Sequence, residues 1–185
     1  MAPDTQKPVH KTKNLFLVGR PGVGKTTLLV TVATRLKDVR LGGFYTREMR
    51  EGNRRVGFRV ETFSGASGIL AHVSHKHGQR IGKYGVDIAA LERLGVTALE
   101  EAIRMADVIL VDEIGKMELF SDRFRASLLR ALDSPKPVLA TVMAYADPFV
   151  DTLKTRPDVQ LIEVTQSNRD RLVDELVGTI LTLLP

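Results

Sequence analysis

The 185-residue sequence predicts an α/β domain with a mostly parallel sheet covered by helices on both faces. Three observations predict it. Short apolar runs alternate with amphipathic helical stretches over most of the chain, and a glycine-rich turn joins the first run to the first helix. The one departure, residues 41–85, alternates with the period of two expected of antiparallel strands.

Taken in order, residues 1–13 (MAPDTQKPVHKTK) are polar and without periodicity, and are read as a flexible basic tail ahead of a single domain at 14–185. Asn14–Val18 (NLFLV) has the composition of a buried parallel strand. Beyond the turn, Thr26–Lys37 places Leu28, Leu29, Val32 and Leu36 at helical spacing. In Leu41–Gly85, GGFYTREM and RVGFRVETF flank the turn-forming EGN, and SGILAHV and RIGKYGV follow as shorter strands, so this segment reads as an antiparallel hairpin insertion. Thr97-Ala-Leu-Glu100 has the pattern of a capping box and predicts a helix over Ala98–Ala106. Regular alternation then resumes. It runs through a strand at Val108–Val111, a helix at Asp122–Leu132 capped by Ser121, and a strand at Pro137–Val142. A short helix opened by Asp147-Pro148, a last strand at Val159–Val164 and a final helix from Arg169 to Leu184 complete it.

Composition narrows the chemistry. With 43% hydrophobic and 26% charged residues the chain has an ordinary globular balance, and no apolar run approaches the roughly 18–20 residues of a membrane span. Neither a signal peptide nor a membrane partner is expected, and the cytoplasm is the expected location. Zero cysteines exclude disulfides, thiolate metal sites and a cysteine nucleophile. Lys+Arg 27 against Asp+Glu 22 gives a net charge of +5, which suits an anionic ligand such as a nucleotide, or weak nucleic-acid association, or serves solubility alone. A monomer is expected.

Residues Gly19–Thr26 read GRPGVGKT, a complete G-x-x-x-x-G-K-[ST] phosphate-binding loop between a strand and a helix. Gly19, Gly22 and Gly24 permit the backbone conformations and close approach that let N–H groups surround phosphates, with Arg20, Pro21 and Val23 completing the loop. Lys25 is expected to reach the β- and γ-phosphates, Thr26 to ligate Mg²⁺ and Thr27 to contact the α-phosphate. Pro21 either stiffens the loop or is only a turn former. A second element follows the strand Val108-Ile109-Leu110-Val111. Asp112, at the sheet's carboxyl edge, is expected to bind the Mg²⁺ directly or through water, and Glu113 is placed to orient or deprotonate the attacking water.

Taken together, GRPGVGKT, the segment DEIGKMEL at Asp112–Leu119, GGFYTRE at Gly42–Glu48 and Asn168-Arg169 resemble the THEP-type nucleoside-triphosphatases. The resemblance spans nearly the whole chain from Asn14. It implies a RecA-like P-loop domain that hydrolyses ATP, GTP and other nucleoside triphosphates to diphosphate and phosphate with Mg²⁺. It also implies nucleotide-binding segments at Gly19–Thr26 and Val108–Gly115, the latter including Ile114 and Gly115. The tail and the histidines below lie outside the family pattern.

Charge developing on the transferred phosphoryl group calls for a further cation. Lys116 is one candidate, unless it pairs with Glu118 at the surface; Arg20, Arg47 and Lys83 are the others. Asn168 and Arg169 follow the last strand and can bond and stack on a base, or Asn168 can cap the helix beside a solvated Arg169. No N/T-K-x-D pattern for reading guanine occurs, so loose base selectivity is expected. His72, His75 and His77 read as a solvated loop without a metal. Two other functions share these motifs: a nucleotide or small-molecule kinase, which needs an acceptor pocket, and a slow nucleoside-triphosphate-dependent switch associated with nucleic acid.

Overall fold

A computed structural model describes residues 12–185. The expected tail lies outside the described residues up to position 11. Its last member, Lys13, belongs to the fold, bonded to Asn14 Oδ1 and the Leu132 carbonyl. In chain order the elements are β1 (Asn14–Val18), α1 (Lys25–Arg35), β2 (Leu41–Glu51), β3 (Arg54–Thr62), β4 (Ser67–His72), β5 (Arg80–Ile81) and β6 (Tyr84–Val86). Next come α2 (Ile88–Ala90), a π-helical segment (Leu91–Val96), α3 (Thr97–Met105), β7 (Val108–Ile114) and a 3-10 turn (Glu118–Phe120). The chain ends with α4 (Asp122–Asp133), β8 (Val138–Val142), α5 (Pro148–Lys154), β9 (Val159–Glu163) and α6 (Arg169–Leu183).

All nine strands form one sheet in the order β5-β6-β4-β3-β2-β7-β8-β1-β9. The run β2-β7-β8-β1-β9 is parallel throughout. Its inner strands β7, β8 and β1 are buried on both faces, and their residues alternate between two cores, whereas the edge strand β9 is largely exposed. Leu15, Leu17, Val108, Leu110 and Leu139 pack against α1 and α6, together with Leu28, Val32, Leu172 and Leu176. Phe16, Ile109, Val111, Val138 and Ala140 face the opposite core with Leu99, Phe124 and Leu128 from α3 and α4. A period-two strand with both sides apolar is what a doubly covered parallel sheet requires. Because β8 stands between β1 and β7, the loop after β1 and the end of β7 flank the carboxyl end of β8.

One expectation holds with an addition, and one needs correction. The segment 41–85 is antiparallel, as its alternation predicts, yet it extends the same sheet. Leu41–Phe44 pairs in parallel with Val108–Val111 before the same strand continues into the hairpin with β3. The helix expected at Ala98 begins a turn and more earlier, at Ile88, because the apolar stripe includes Leu91 and Val96. Its cap is Asp87, whose side chain accepts from Ala90 N at 2.8 Å. The Thr97–Glu100 box does not form: Thr97 Oγ1 donates to the Glu92 carbonyl, and Glu100 binds Ser127 and Arg130 on α4. Ser121 and Asp147 cap α4 and α5 as expected.

Gly43 sits where β2 passes from parallel to antiparallel pairing. Its φ is +105°, and a Cβ there would lie 2.0 Å from the Leu110 carbonyl oxygen on β7. Gly43→Ala thus combines left-handed strain with a backbone clash in the centre of the sheet. It is expected to cost about 3 kcal/mol and to lower Tm by roughly 6–12 °C. A thermal melt within 2 °C of the parent would contradict this placement (about 1 kcal/mol or less).

Candidate active site

β1 is short and apolar, so it stops at Val18, and the loop Gly19–Gly24 turns directly into α1. Gly24 occupies the N-cap position in a left-handed conformation, φ 101° and ψ 27°, with no side-chain cap bond. The first-turn N–H groups and the positive end of α1 can therefore bind an anion. Arg169 from the start of α6 lies across this glycine: a Cβ on Gly24 would fall 2.8 Å from its Nη1, which donates to the Val23 carbonyl at 3.2 Å. Lys25 Nζ reaches over the loop to the Gly19 carbonyl at 2.9 Å.

Thr26, in the first turn of α1, donates to both oxygens of Asp112, at 2.9 and 3.0 Å. The two sequence motifs thus meet although they lie on strands separated by β8. Asp112 is fully buried and accepts three further bonds, from Thr46 N at 3.2 Å, Thr46 Oγ1 at 3.0 Å and Thr141 Oγ1 at 2.6 Å. Thr46 comes from β2 and Thr141 from β8. Neither was singled out in the sequence, although Thr141 is the one hydroxyl in the apolar run VLATV. Four donors on one carboxylate fix its orientation. Hydroxyl and carboxylate oxygens held together in this way make a donor set suited to a hard divalent cation.

A cavity of about 650 Å³ opens at this junction. The phosphate loop contributes Pro21, Gly22, Gly24, Lys25, Thr26 and Thr27, and the DEIGKMEL segment contributes Glu113, Gly115, Lys116, Met117 and Glu118. Arg20, Gly19 and Val23 do not line it. Val108, Ile109, Leu110, Val111 and Ile114, expected within a nucleotide-binding segment, are fully buried in the two cores. They position the acids without reaching the cavity, because every side chain of this central strand up to Asp112 is enclosed by the sheet and its covering helices. Among the candidate cations, Arg47 and Lys116 line the cavity, whereas Lys83 lies over the Tyr84 ring. Arg47 is paired with Glu61 at 3.2 Å. Lys116 is exposed, with its ammonium over the Tyr145 ring at 5.2 Å. Arg55 is a cavity cation missed in the sequence. It stacks over Phe58 and donates to Tyr84 Oη and Glu48.

The expected surface pair of Lys116 and Glu118 does not exist, because Glu118 is 4% exposed and points inward. Burial and the neighbouring Glu113 charge push its carboxyl up to about 8. Burial, followed by Asp112, also raises Glu113, while Lys25 draws it down. On the other side of the loop, a smaller groove is lined by Thr27, Leu28, Arg35, Arg169 and Val173. Asn168 stands beside it, but its amide is spent on its own turn. Oδ1 accepts from Thr165 N, and Nδ2 donates to the Glu163 carbonyl, each at 2.8 Å. It forms no helix-cap bond either. The histidines form no metal cluster among the described residues.

The raised Glu118 carboxyl has a consequence for stability. Between about pH 4.5 and 8 the folded protein retains a proton that the unfolded chain has released, so stability falls as pH rises through this window. Thermal unfolding at pH 5 and pH 8 is expected to show that loss, on the order of 3 kcal/mol, reduced in Glu118→Gln. Parallel pH dependence in both proteins would contradict the assignment.

The sequence and the fold have counterparts in known proteins. The NTPase family model matches residues 14–177. The nucleoside-triphosphatase THEP1 of Thermotoga maritima is 45% identical over 166 residues, 90% of this chain and 94% of the relative. The human cancer-related nucleoside-triphosphatase is 37% identical over 183 residues, 91% and 96% of the two chains. The crystal structure of THEP1 from the hyperthermophile Aquifex aeolicus superposes with a TM-score of 0.83 at 36% identity, covering 90% of this chain and 98% of that one. The solution structure of the human protein gives 0.79 at 38% identity, with coverage of 92% and 98%. The chain therefore belongs to the THEP-type nucleoside-triphosphatases and is a nucleoside-triphosphate hydrolase.

Proposed function

We propose that the protein hydrolyses the terminal phosphoanhydride of nucleoside triphosphates in a Mg²⁺-dependent reaction with loose base selectivity. The observation that carries this reading is the bond between Thr26 and Asp112, which joins the phosphate loop to a buried carboxylate beside a cavity lined by Thr26, Lys25 and Glu113. The triphosphate would lie along the loop N–H groups, with Thr27 at the α-phosphate and Lys25 moving from the Gly19 carbonyl to the β- and γ-oxygens. Thr26 and Asp112 are the residues that would hold Mg²⁺, which when bound would supply charge neutralisation at the phosphoryl group. Glu113 takes the proton of the attacking water, and its raised pKa improves its match to that task near neutral pH. Lys116, Arg47 and Arg55 are the cavity cations available to stabilise the equatorial oxygens.

The base would lie in the groove between α1 and α6 against Arg169, whose guanidinium can stack on any base. Occupation of the Asn168 amide by its own turn removes an obvious base-edge reader. ATP, GTP, CTP and UTP are therefore expected to turn over within about tenfold of one another. A strict preference for one base in steady-state assays would contradict this.

A second reading, phosphoryl transfer to an organic acceptor, is favoured by one observation. The cavity continues beyond Lys25 and Glu113 onto Phe58, Leu70 and Ile81, an apolar surface that water does not need. Hydrolysis predicts one phosphate released per diphosphate formed with no acceptor present. A diphosphate yield that requires an added acceptor would favour transfer.

Two substitutions separate the proposed roles. Lys25→Ala is expected to abolish binding of a fluorescent triphosphate. Glu113→Gln should retain binding within about threefold and lose about 10²–10³ in kcat. A Glu113→Gln enzyme with parental turnover would remove the base assignment.

A further inference from the structure

Glu118 is a buried acid that the hydrolytic scheme above does not use. Its place is set by a tight turn: Leu119 N bonds the Gly115 carbonyl, Phe120 N the Met117 carbonyl and Ser121 N the Glu118 carbonyl. This winding sends the side chain back toward Gly115 and the cavity wall. A Cβ added to Gly115 would meet Glu118 Oε2 at 3.2 Å and, from the other side, Glu113 Cγ at 3.2 Å and Cδ at 3.3 Å. Glycine at 115 leaves the space on which the two carboxyl side chains converge.

The surroundings make a purely structural explanation costly. Glu118 is 4% exposed and forms no ion pair among the described residues; backbone hydrogen bonds at Glu118 and Gly115 draw its carboxyl down, but burial and the acids Glu113 and Asp112 outweigh them. Burying a carboxyl without a cation is unfavourable, whereas methionine or leucine would occupy this position beside Met117 and Leu119 without that penalty. A protonated carboxyl removes the like-charge conflict and gains what a carboxylate lacks, a hydrogen to donate. Burial and the adjacent negative charges favour that form, holding the group up to about 8. The side chain it shares the space at Gly115 with is that of Glu113.

We infer that Glu118 is a positioning residue for hydrolysis, its carboxyl group holding the Glu113 side chain in the orientation that meets the attacking water. This inference rests on the reading of Glu113 as the base. Glu118 touches neither nucleotide nor water in this scheme; it limits the rotamers of the group that does. Glutamine at 118 keeps the shape and a donor, whereas leucine keeps volume alone. The two substitutions therefore separate a directed contact from simple filling of space.

The test is a double-mutant cycle on the full chain. Glu118→Leu and Glu118→Gln are made alone and in a Glu113→Gln background, with kcat, KM, fluorescent-triphosphate affinity and Tm measured for each. Glu118→Leu is expected to lower kcat about 10–30-fold while KM and affinity stay within about twofold, and Glu118→Gln to restore kcat to within about threefold. In the Glu113→Gln background, Glu118→Leu should change the residual rate less than about twofold, because the group it positions has lost its function. Should Glu118→Leu fail to fold, Glu118→Met takes its place with the same expected values. Parental kcat in the apolar variant, an equal loss in both backgrounds, or glutamine performing no better than leucine would each overturn the inference. Parental turnover in Glu113→Gln alone would instead refute the base assignment, which the cycle reads separately.

Discussion

The carboxylate of Asp112 is where the structure is tied together. It is fully buried at the end of β7, and the groups that compensate its charge come from three other elements: Thr26 of α1, Thr46 of β2 and Thr141 of β8. None is a cation. A buried charge held by hydroxyls and one backbone N–H keeps its position only while all of those strands and the helix stay in register. Leaving such a charge uncompensated costs roughly 3–5 kcal/mol, so this one group couples the parallel sheet, the phosphate loop and the antiparallel extension. Its oxygens also bond directly to Thr26 at the end of the loop. The same contact that organises the fold therefore prepares the site.

Around this anchor the acids divide their tasks by environment. Asp112 has a full set of donors. Glu113 lines the cavity with Lys25 close enough to oppose its upward shift. Glu118 has burial and like charge but no cation, so its neutral form is favoured. Three carboxyl groups within seven residues of sequence thus face different local surroundings. Lys116 and Arg55 complete the picture from opposite walls. Both lie against aromatic rings, Tyr145 and Phe58, which limits their motion while leaving positive charge on the cavity.

Much of this was legible in the sequence because it rests on local patterns. The glycine-rich loop, β1, α1 and the acids after β7 follow from short-range periodicity and spacing, and the Ser121 and Asp147 caps from the chemistry of their side chains. What was not legible depends on register. That β2 also pairs in parallel is decided by a partner more than sixty residues away, as Gly42 opposite Ile109 illustrates. Thr97-Ala-Leu-Glu100 satisfies a capping rule, yet burial of Leu91 and Val96 starts the helix earlier. Glu118 looked like a surface partner for Lys116. Only the turn after Gly115 shows that it faces inward, just as only β2–β7 pairing brings Thr46 to Asp112.

The central claim is most directly tested by a high-resolution structure with Mg²⁺ and a non-hydrolysable nucleoside triphosphate. The account predicts the metal between Thr26 Oγ1, the Asp112 side and the β- and γ-phosphates. It also predicts an ordered water in line with the γ-phosphorus, within about 3 Å of the Glu113 carboxylate. A triphosphate seated away from the Gly19–Thr26 loop, or a Glu113 carboxylate turned away from an in-line water held by another residue, would contradict it.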